Sequence, residues 1–306
     1  MTQSTMEQPK VVSREQWLAA RKALLEKEKQ LTRQSDALAA ERRNLPHVKV
    51  EKEYVFDMPK GKKTLADLFE GRSQLIVYHF MFGPEWNEGC PSCSILGDHI
   101  DGSAQHLANR DVTLLAVSRA PITKIEEFKK RLGWRFKWAS SFGNDFNRDF
   151  HVSFTKEEVA QQEMYYNFKR QFFPSEEGPG ISVFYKNENG EVFHTYSTYG
   201  RGGEPMMGVY TYLDIAPKGR NEESLAHPMM WVRHHDRYAQ DYYADSANAA
   251  GSTEEVVKAA GAWCCAGQHK YVNGGSDHKI SRSEWLKIGG RSGSCCILAT
   301  LPCSLR

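Results

Sequence analysis

The chemistry of this chain is concentrated in two cysteines, Cys90 and Cys93, which are separated by Pro91 and Ser92. The β-rich run Gln74 to Phe82 precedes them and a helix-period segment follows, so the pair is predicted to lie where a buried strand gives way to a helix. A cysteine at a helix N-terminus has free backbone amides and the positive end of the helix dipole near its sulfur, which favours the thiolate. The spacing therefore predicts that Cys90 is an attacking thiolate, and that Cys93 can reach back over one helical turn to resolve a mixed disulfide. Pro91 suits the first helical turn because it lacks an amide that would have no partner there.

Two cysteines at this spacing can also form half of a zinc knuckle or simply pack in a core. The segment from residue 46 to Arg237 contains no second cysteine pair that would complete a knuckle. The other five cysteines include two adjacent Cys-Cys pairs, which lack the gap of about two to four residues that lets two thiolates hold one tetrahedral ion. These five are Cys264, Cys265, Cys295, Cys296 and Cys303. The α/β setting of Cys90 and Cys93 instead favours a thioredoxin-like redox motif, and we expect no metal and no cofactor.

The elements that must position the pair are those of an α/β sheet flanked by helices, because β-rich runs alternate with helix-period segments from residue 46 to residue 237. Strands are predicted at Tyr54 to Phe56, Gln74 to Phe82, Val112 to Ser118, Lys137 to Ser140, Ile181 to Tyr185 and Val192 to Thr198. The second and third of these are almost continuously apolar, as expected of parallel central strands that are covered on both faces. Helices are predicted at Ser94 to Ala108 and Ile122 to Leu132, and a tight hairpin at Asn187 to Gly190.

Several separate runs of the sequence resemble a bacterial thioredoxin-like family, DUF899. They are Tyr78 to Pro84, Gly89 to Cys93, Ala116 to Pro121, Gly133 to Phe136 and Phe193 to Ser197. The resemblance extends over about residues 10 to 237 and implies a thioredoxin-like fold with a central sheet flanked by helices. It does not imply a substrate, because the family is named for its undefined activity.

Within the broader thioredoxin-like pattern, Glu177 to Gly180 resembles the loop whose cis-proline faces the C-x-x-C pair. The resemblance implies that Pro179 is a cis-proline beside the cysteines; an ordinary turn proline is the alternative. The sequence departs from the thioredoxins proper, because no Trp directly precedes Cys90 and Trp86 lies four residues upstream. General reduction of protein disulfides is therefore not implied.

Substrate contacts are predicted for residues of the motif and for two residues near it. Trp86, Pro91 and Ser92 lie in or just before the C-x-x-C segment. Arg119 follows the predicted strand that ends at Ser118, at the carboxyl edge where α/β sheets bind ligands, so it is a candidate to steady a thiolate or an anionic substrate. A surface salt bridge is the alternative for Arg119.

Two further features near the predicted site are interpreted as structural. Trp134, Phe136 and Trp138 alternate along the chain as core residues of a strand do. His79 is predicted to be a hydrogen-bonded strand histidine, because a role in proton transfer would need its ring within hydrogen-bond reach of Cys90.

A long helix is predicted for Ser13 to Arg43, which is rich in Ala, Leu, Glu, Lys, Gln and Arg. Ser13 and Gln16 have capping-box spacing. Apolar residues recur every seven positions and form a narrow stripe that must be buried; they are Trp17, Leu24, Leu31 and Leu38. A helical arm packed on the main domain is favoured, and a homodimer formed through this helix is the alternative.

Three parts are predicted along the chain: a helical arm at residues 1–45, a thioredoxin-like domain at 46–237 and a flexible tail at 238–306. The tail is rich in Ala, Ser and Gly and has few apolar positions at any period, so it is predicted to be largely disordered. A segment that is foreign to the natural protein would show the same abrupt change in composition.

Composition excludes several classes of partner. The 306 residues include 40 Lys and Arg against 38 Asp and Glu, so a net charge of +2 gives no field that would recruit nucleic acid or an anionic membrane. No apolar run approaches the roughly 18 residues that a transmembrane helix needs. The N-terminal residues show no export signal, so the chain is predicted to be cytoplasmic, where cysteines are kept reduced.

We therefore expect a cytoplasmic thiol-disulfide oxidoreductase that acts on a protein or small-molecule thiol or disulfide, with an unidentified reducing partner. A peroxiredoxin-like peroxidase, in which peroxide oxidises Cys90 to a sulfenic acid, is one alternative. Against it, Asn87 stands where the resemblance to peroxiredoxins implies a Thr. A binding or dimerisation module of the same fold, without catalysis, is the other alternative.

Overall fold

The structure is a computed structural model that describes residues 10–238. Within these residues the α-helices are α1 (Arg14–Arg43), α2 (Pro91–Ala108), α3 (Ile122–Arg131), α4 (Phe146–Asp149), α5 (Lys156–Gln161) and α6 (Gly208–Ile215). The strands of the same residues are β1 (Val48–Lys49), β2 (Val55–Met58), β3 (Gly61–Thr64), β4 (Gln74–His79), β5 (Val112–Ser118), β6 (Lys137–Ser140), β7 (Met164–Tyr166), β8 (Lys169–Gln171), β9 (Gly180–Lys186) and β10 (Val192–Tyr199). The predicted tail beyond Tyr238, with its five cysteines, lies outside the described residues.

The strands form one mixed sheet in the order β1-β10-β9-β4-β5-β6-β2-β3, apart from β7 and β8, which pair with each other. Strands β4, β5 and β6 are parallel, and β9 lies antiparallel to β4 on its other side. The apolar run of β4 is explained by this central position, because side chains on both of its faces are covered. Strands β5 and β6 have the predicted bounds, whereas β4 ends at His79 rather than at Phe82.

Aromatic side chains fill the layer between the sheet and helices α2 and α3. The rings of Phe80, Phe128, Trp134 and Trp138 pack with centroid separations of 4.5–6.3 Å. Phe136 is buried in the same cluster as these rings. The prediction that the aromatic residues at 134, 136 and 138 belong to the core is therefore confirmed.

A second apolar layer covers the opposite face of the sheet. Its aromatic members include Phe146, Phe150 and Phe184, which contact one another at centroid separations of 4.7–6.1 Å. His79, at the end of β4, points into this layer and lies 5.5 Å from the ring of Phe146. The histidine and the cysteine pair are thus on different faces of the sheet.

The hairpin between β9 and β10 has the predicted polar turn. The side-chain oxygen of Asn187 accepts hydrogen bonds from the backbone amides of Asn189 (3.1 Å) and Glu191 (2.9 Å). Gly190 has a φ of +82°, a conformation that favours glycine. These contacts explain why the Asn and Gly positions of this segment predict a turn.

Helix α1 begins with the predicted capping box. The Ser13 hydroxyl accepts from the Gln16 amide, and the Gln16 side chain accepts from the Ser13 amide, each at 3.2 Å. The apolar stripe, however, is not buried: Trp17 is 47% exposed and Leu31 is 64% exposed. The predicted packing of α1 on the main domain is therefore wrong for the described residues, since none of the residues in α1 is buried. The helix is supported locally by its cap and by ion pairs such as Arg21 with Glu28 at 2.8 Å.

The chain after β10 was assigned no elements from its sequence. It forms a 3₁₀ segment (Gly200–Met206) and α6 and then folds back over α2. Met229 and Val232 from this return pack against Ile95 of α2 in a small separate cluster. None of the helices in residues 10–238 combines the length and the apolarity that a membrane-spanning helix needs.

Candidate functional site

The chain enters the cysteine motif from the end of β4. The Phe80 amide continues the strand by donating to the Val117 carbonyl at 3.0 Å, and the Cys90 amide donates to the Met81 carbonyl at 3.0 Å. Cys90 is the N-cap residue of α2, with Pro91 at the start of the helix, as the sequence predicts. The motif is therefore anchored on both sides by regular structure.

Gly89 fits a space that admits no side chain. A Cβ at this position would lie 2.6 Å from Phe80 and 2.8 Å from Phe128, closer than any real Cβ contact. The aromatic layer thus determines how closely the backbone before Cys90 approaches the core.

The two thiols are reduced and lie against each other. Both Cys90 and Cys93 are only 3% exposed, so the greater burial expected for Cys93 is not observed. Both belong to the same apolar cluster beside the sheet, which explains their similar burial. The side chains of the two cysteines are hydrogen-bonded.

The environment of Cys93 keeps its thiol protonated. Burial is the largest cause of a pKa raised well above the usual value, and the hydrogen bond with Cys90 acts in the same direction. Hydrogen bonds from the Tyr78 side chain and the Met81 backbone act in the opposite direction. A protonated Cys93 is a donor to the sulfur of Cys90, which agrees with the prediction that Cys93 is the less ionised of the two.

Pro179 lies close to the motif, as predicted, but its peptide bond is trans. Pro179, Ser92 and Cys93 line one cavity of about 530 Å³, a volume that includes its open mouth. No peptide bond in the described part of the chain is cis, so the cis-proline prediction is wrong. The trans chain is held here by hydrogen bonds from Gly178 to the Val152 carbonyl (2.8 Å) and from the Tyr166 hydroxyl to the Pro179 carbonyl (2.6 Å).

Two of the predicted substrate-contacting residues lie away from this cavity. Trp86 covers Gly83, where an added Cβ would lie 3.0 Å from the indole nitrogen. Arg119 donates to the buried carboxylate of Glu177 at 2.7 Å through both Nε and Nη2. Glu177 also accepts from the Ser153 hydroxyl at 2.7 Å. Arg119 is thus neither in a surface salt bridge nor in contact with the cavity beside the cysteines.

His79 has no contact with the cysteine pair. Its Nε2 is 2.9 Å from the Ser182 hydroxyl, which is in turn 2.9 Å from the Ser197 hydroxyl. The Nδ1 atom is buried without a hydrogen-bond partner, so the prediction of a hydrogen-bonded strand histidine holds for one ring nitrogen. Burial, and then the neighbouring His194, lower the pKa of His79 to about 3.

Sequence reasoning missed a contact between the motif and the far end of the described chain. The backbone carbonyl of Gly89 lies 2.9 Å from Nε2 of His234, a residue 145 positions later. Arg131 lies 2.8 Å from the other ring nitrogen, Nδ1. Since Arg131 can only donate, Nδ1 accepts and Nε2 carries the proton that is donated to Gly89. Burial lowers the pKa of His234, which agrees with this neutral form.

Ion pairs fasten the same segment to the residue before Gly89. Glu88 accepts from Arg237 at 2.7 and 2.8 Å and from Arg131 at 2.8 Å. Burial opposes ionisation of Glu88, but these hydrogen bonds outweigh it and lower its pKa. We call His234 and Arg237, with their partner Arg131, the clamp. The only local signal for it was a run of charged and histidine residues at 233–237, which says nothing about a partner so distant in sequence.

The sequence matches a family described as bacterial protein of unknown function (DUF899) over residues 6–238. The chain belongs to this family. No curated protein matches this DUF899 chain in sequence.

Solved structures with the same general architecture have very different sequences. Peroxidoxin BcpB from Mycobacterium tuberculosis is 11% identical with a TM-score of 0.36, over 54% of the DUF899 chain and 94% of its own. A cysteine-to-serine mutant of PrxQ from Xylella fastidiosa is 13% identical with a TM-score of 0.35, over 54% and 95% of the two chains. A protein from Chlorobium tepidum, described as a candidate thiol:disulfide interchange protein DsbE, is 12% identical with a TM-score of 0.34, over 55% and 94%.

The fold of the DUF899 protein is thioredoxin-like, as predicted. A central parallel strand leads through the cysteine motif into α2, and the adjacent β9 is antiparallel and begins directly after Pro179.

Proposed function

We propose that this DUF899 protein is a thiol-disulfide oxidoreductase in which Cys90 attacks and Cys93 resolves. The observation that carries the proposal is the pair of hydrogen-bonded, reduced sulfur atoms at the N-terminus of an 18-residue helix. The helix dipole and the donor thiol of Cys93 both favour a negative charge on the sulfur of Cys90.

The proposed reaction transfers two electrons from the pair to a disulfide. The Cys90 thiolate attacks one substrate sulfur, the substrate S–S bond breaks, and the departing thiolate takes a proton from the medium. Cys93 then loses its proton and attacks the Cys90 sulfur, which forms the Cys90–Cys93 disulfide and releases the second substrate thiolate. An external dithiol must return the pair to the reduced form, and that donor is not identified.

The structure offers support for the order of the two steps. The raised pKa of Cys93 disfavours it as the first nucleophile at neutral pH, because only the thiolate attacks. Once Cys90 carries a substrate, the Tyr78 and Met81 donors remain to stabilise a developing thiolate on Cys93. The clamp holds the backbone of Gly89, next to Cys90, throughout.

The proposal is tested by trapping the intermediate in the full chain. With Cys93→Ser, a mixed disulfide at Cys90 should accumulate, whereas Cys90→Ser should form none. In the unmodified chain, one equivalent of a disulfide oxidant should protect Cys90 and Cys93 from alkylation together. Mass spectrometry of the alkylated peptides separates this pair from the other five cysteines.

Three outcomes would contradict the proposal. If Cys90 and Cys93 stay open to alkylation after oxidation, the pair is not redox-active. Fast consumption of hydrogen peroxide that is lost with Cys90→Ser, without reaction with disulfides, would favour the peroxidase. If Cys90→Ser retains the full cellular phenotype of the protein, a binding module without thiol chemistry is the better account.

A further inference from the structure

The cavity that Cys93 lines has an almost entirely apolar wall. Its apolar members come from four parts of the chain: Leu96 from α2, Ile181 and Tyr199 from the two antiparallel strands, Met207 before α6 and Met229 from the return segment. With about 530 Å³ including its mouth, it falls within the range of small-molecule sites and is too small for a folded partner.

The charged groups at the edge of this cavity neutralise one another. Arg201 and Glu204 form a two-point ion pair at 2.8 and 3.1 Å, and Arg220 also donates to Glu204 at 3.1 Å. A substrate with several carboxylates, such as glutathione disulfide, would therefore have to compete with Glu204 for these guanidinium groups. An uncharged, apolar group loses nothing by entering and gains the burial of its surface.

We propose that the cavity binds the apolar group of a small organic disulfide and presents its S–S bond to the Cys90–Cys93 pair. The inference rests on the proposed function and names its substrate class: dialkyl or aryl-alkyl disulfides rather than charged peptide disulfides. The reaction balance is the one given above, with the two substrate sulfur atoms released as two apolar thiols. Ser92 and Pro179 border the bound group on the side of the motif.

A matched pair of substrates tests the inference directly. Dipropyl disulfide and bis(2-hydroxyethyl) disulfide have the same number of heavy atoms and differ by a methyl group in place of a hydroxyl at each end. The reduced full chain is mixed with each, and formation of the Cys90–Cys93 disulfide is followed by quenched alkylation and mass spectrometry. Each rate constant is divided by that of dithiothreitol with the same disulfide, which removes intrinsic reactivity. We expect the ratio to favour dipropyl disulfide by about tenfold or more.

Two neighbouring methionines supply the variant and its control. Met207 lines the cavity, whereas Met206 is 43% exposed and does not. Met207→Ala should lower the preference for dipropyl disulfide about tenfold, and Met206→Ala should leave it unchanged. Gly203→Leu is a second variant, because a Cβ at this position lies 3.5 Å from the Cδ1 of Ile181, an ordinary contact. It should narrow the cavity and reduce the same preference.

The outcomes separate the cavity from the thiol chemistry. If both disulfides oxidise the pair at the same normalised rate, the cavity does not select the substrate and the inference is overturned, while the oxidoreductase proposal stands. If neither oxidises Cys90, both are overturned. An unchanged preference in both Met207→Ala and Gly203→Leu would also overturn the inference, because selection would then arise elsewhere.

Discussion

Tyr78 is placed to act on one sulfur of the pair. Its hydroxyl lies 3.4 Å from the Cys93 carbonyl, and its hydrogen bond to the Cys93 side chain lowers a pKa that burial raises. Met81 gives similar help from its backbone, which no substitution removes. Tyr78 is thus the side chain through which the resolving step can be altered separately.

Tyr78→Phe should slow resolution without slowing attack by Cys90. A hydrogen bond to a charged group contributes about 1.5–3 kcal/mol, so we expect the mixed disulfide at Cys90 to live at least about tenfold longer at neutral pH. The step should accelerate as pH rises in both proteins, because Cys93 must lose its proton to attack. Stopped quenching and mass spectrometry of the adduct measure its lifetime.

Tyr210→Phe is the matched control for this change. It removes another hydroxyl from a buried ring, one that donates to Glu222 at 3.0 Å and does not contact the cysteines. Equal adduct lifetimes in Tyr78→Phe and in the unmodified protein would show that the tyrosine does not assist Cys93.

Local spacing was sufficient to predict the residues whose partners are close in sequence. Cys90 and Cys93 share one helical turn, so the positions of both thiols follow from the C-x-x-C pattern and its flanking elements. His234 could not be predicted, because its partner Gly89 is 145 residues away and no periodic pattern links them. The isomer of Pro179 was equally out of reach, since the contacts of Gly178 and Tyr166 around it are tertiary.

At the scale of elements, hydrophobic periodicity predicts where an apolar face is but not what covers it. The strands β5 and β6 were predicted with their observed bounds because their runs are buried on both faces. In α1 the same kind of pattern gave the correct helix and the wrong packing: Leu24 is 51% exposed and Leu38 is 46% exposed. The short strands β7 and β8 and helix α6 were missed, because three to eight residues are too few to establish a period.

The exposed stripe of α1 should mediate self-association with a second copy of the chain. A helix of 30 residues is about 45 Å long, which is enough for four heptads of contact. We expect sedimentation to show a dimer that the double variant Leu24→Lys with Leu31→Lys dissociates. Each buried Leu contributes roughly 1.5–3 kcal/mol, so the dissociation constant should rise at least roughly 100-fold.

Asp36→Asn is the control for charge, because Asp36 lies on the opposite face of α1 and its substitution also makes the chain one unit more positive. It should leave the dimer intact. Circular dichroism confirms that α1 stays helical in both proteins. A chain that sediments as a monomer before any substitution would contradict the prediction.

For the whole molecule, His79 should limit stability in acid. Its pKa of about 3 in the folded protein lies below the ordinary value of 6.5, because burial disfavours the charged ring. Above pH 6.5 the ring is neutral in both states and adds no pH dependence. Below pH 6.5 the unfolded chain binds a proton that the folded protein excludes, so stability falls by about 1.4 kcal/mol per pH unit until the folded ring titrates.

His79→Gln should flatten this acid limb while keeping a group that can bond to the Ser182 hydroxyl. Denaturant unfolding at a series of pH values between 7 and 4.5 measures the slope, which should decrease by about one proton. His235→Gln is the contrasting variant, because a hydrogen bond to Asp98 raises the pKa of His235. Its stabilising contribution is present below pH 6.5 and is lost as pH rises, so its removal should steepen the acid limb. Parallel slopes for all three proteins would refute the role of His79.

The clamp also has a consequence for biosynthesis. His234 leaves the ribosome 145 residues after Gly89, so the backbone before Cys90 cannot acquire this partner until translation has nearly passed the described domain. At roughly 5–20 residues per second, the interval is on the order of 7 to 30 s. During it both thiols exist on a nascent chain whose return segment has not been made, so premature pairing with other sulfhydryls is a hazard of synthesis rather than of the finished fold.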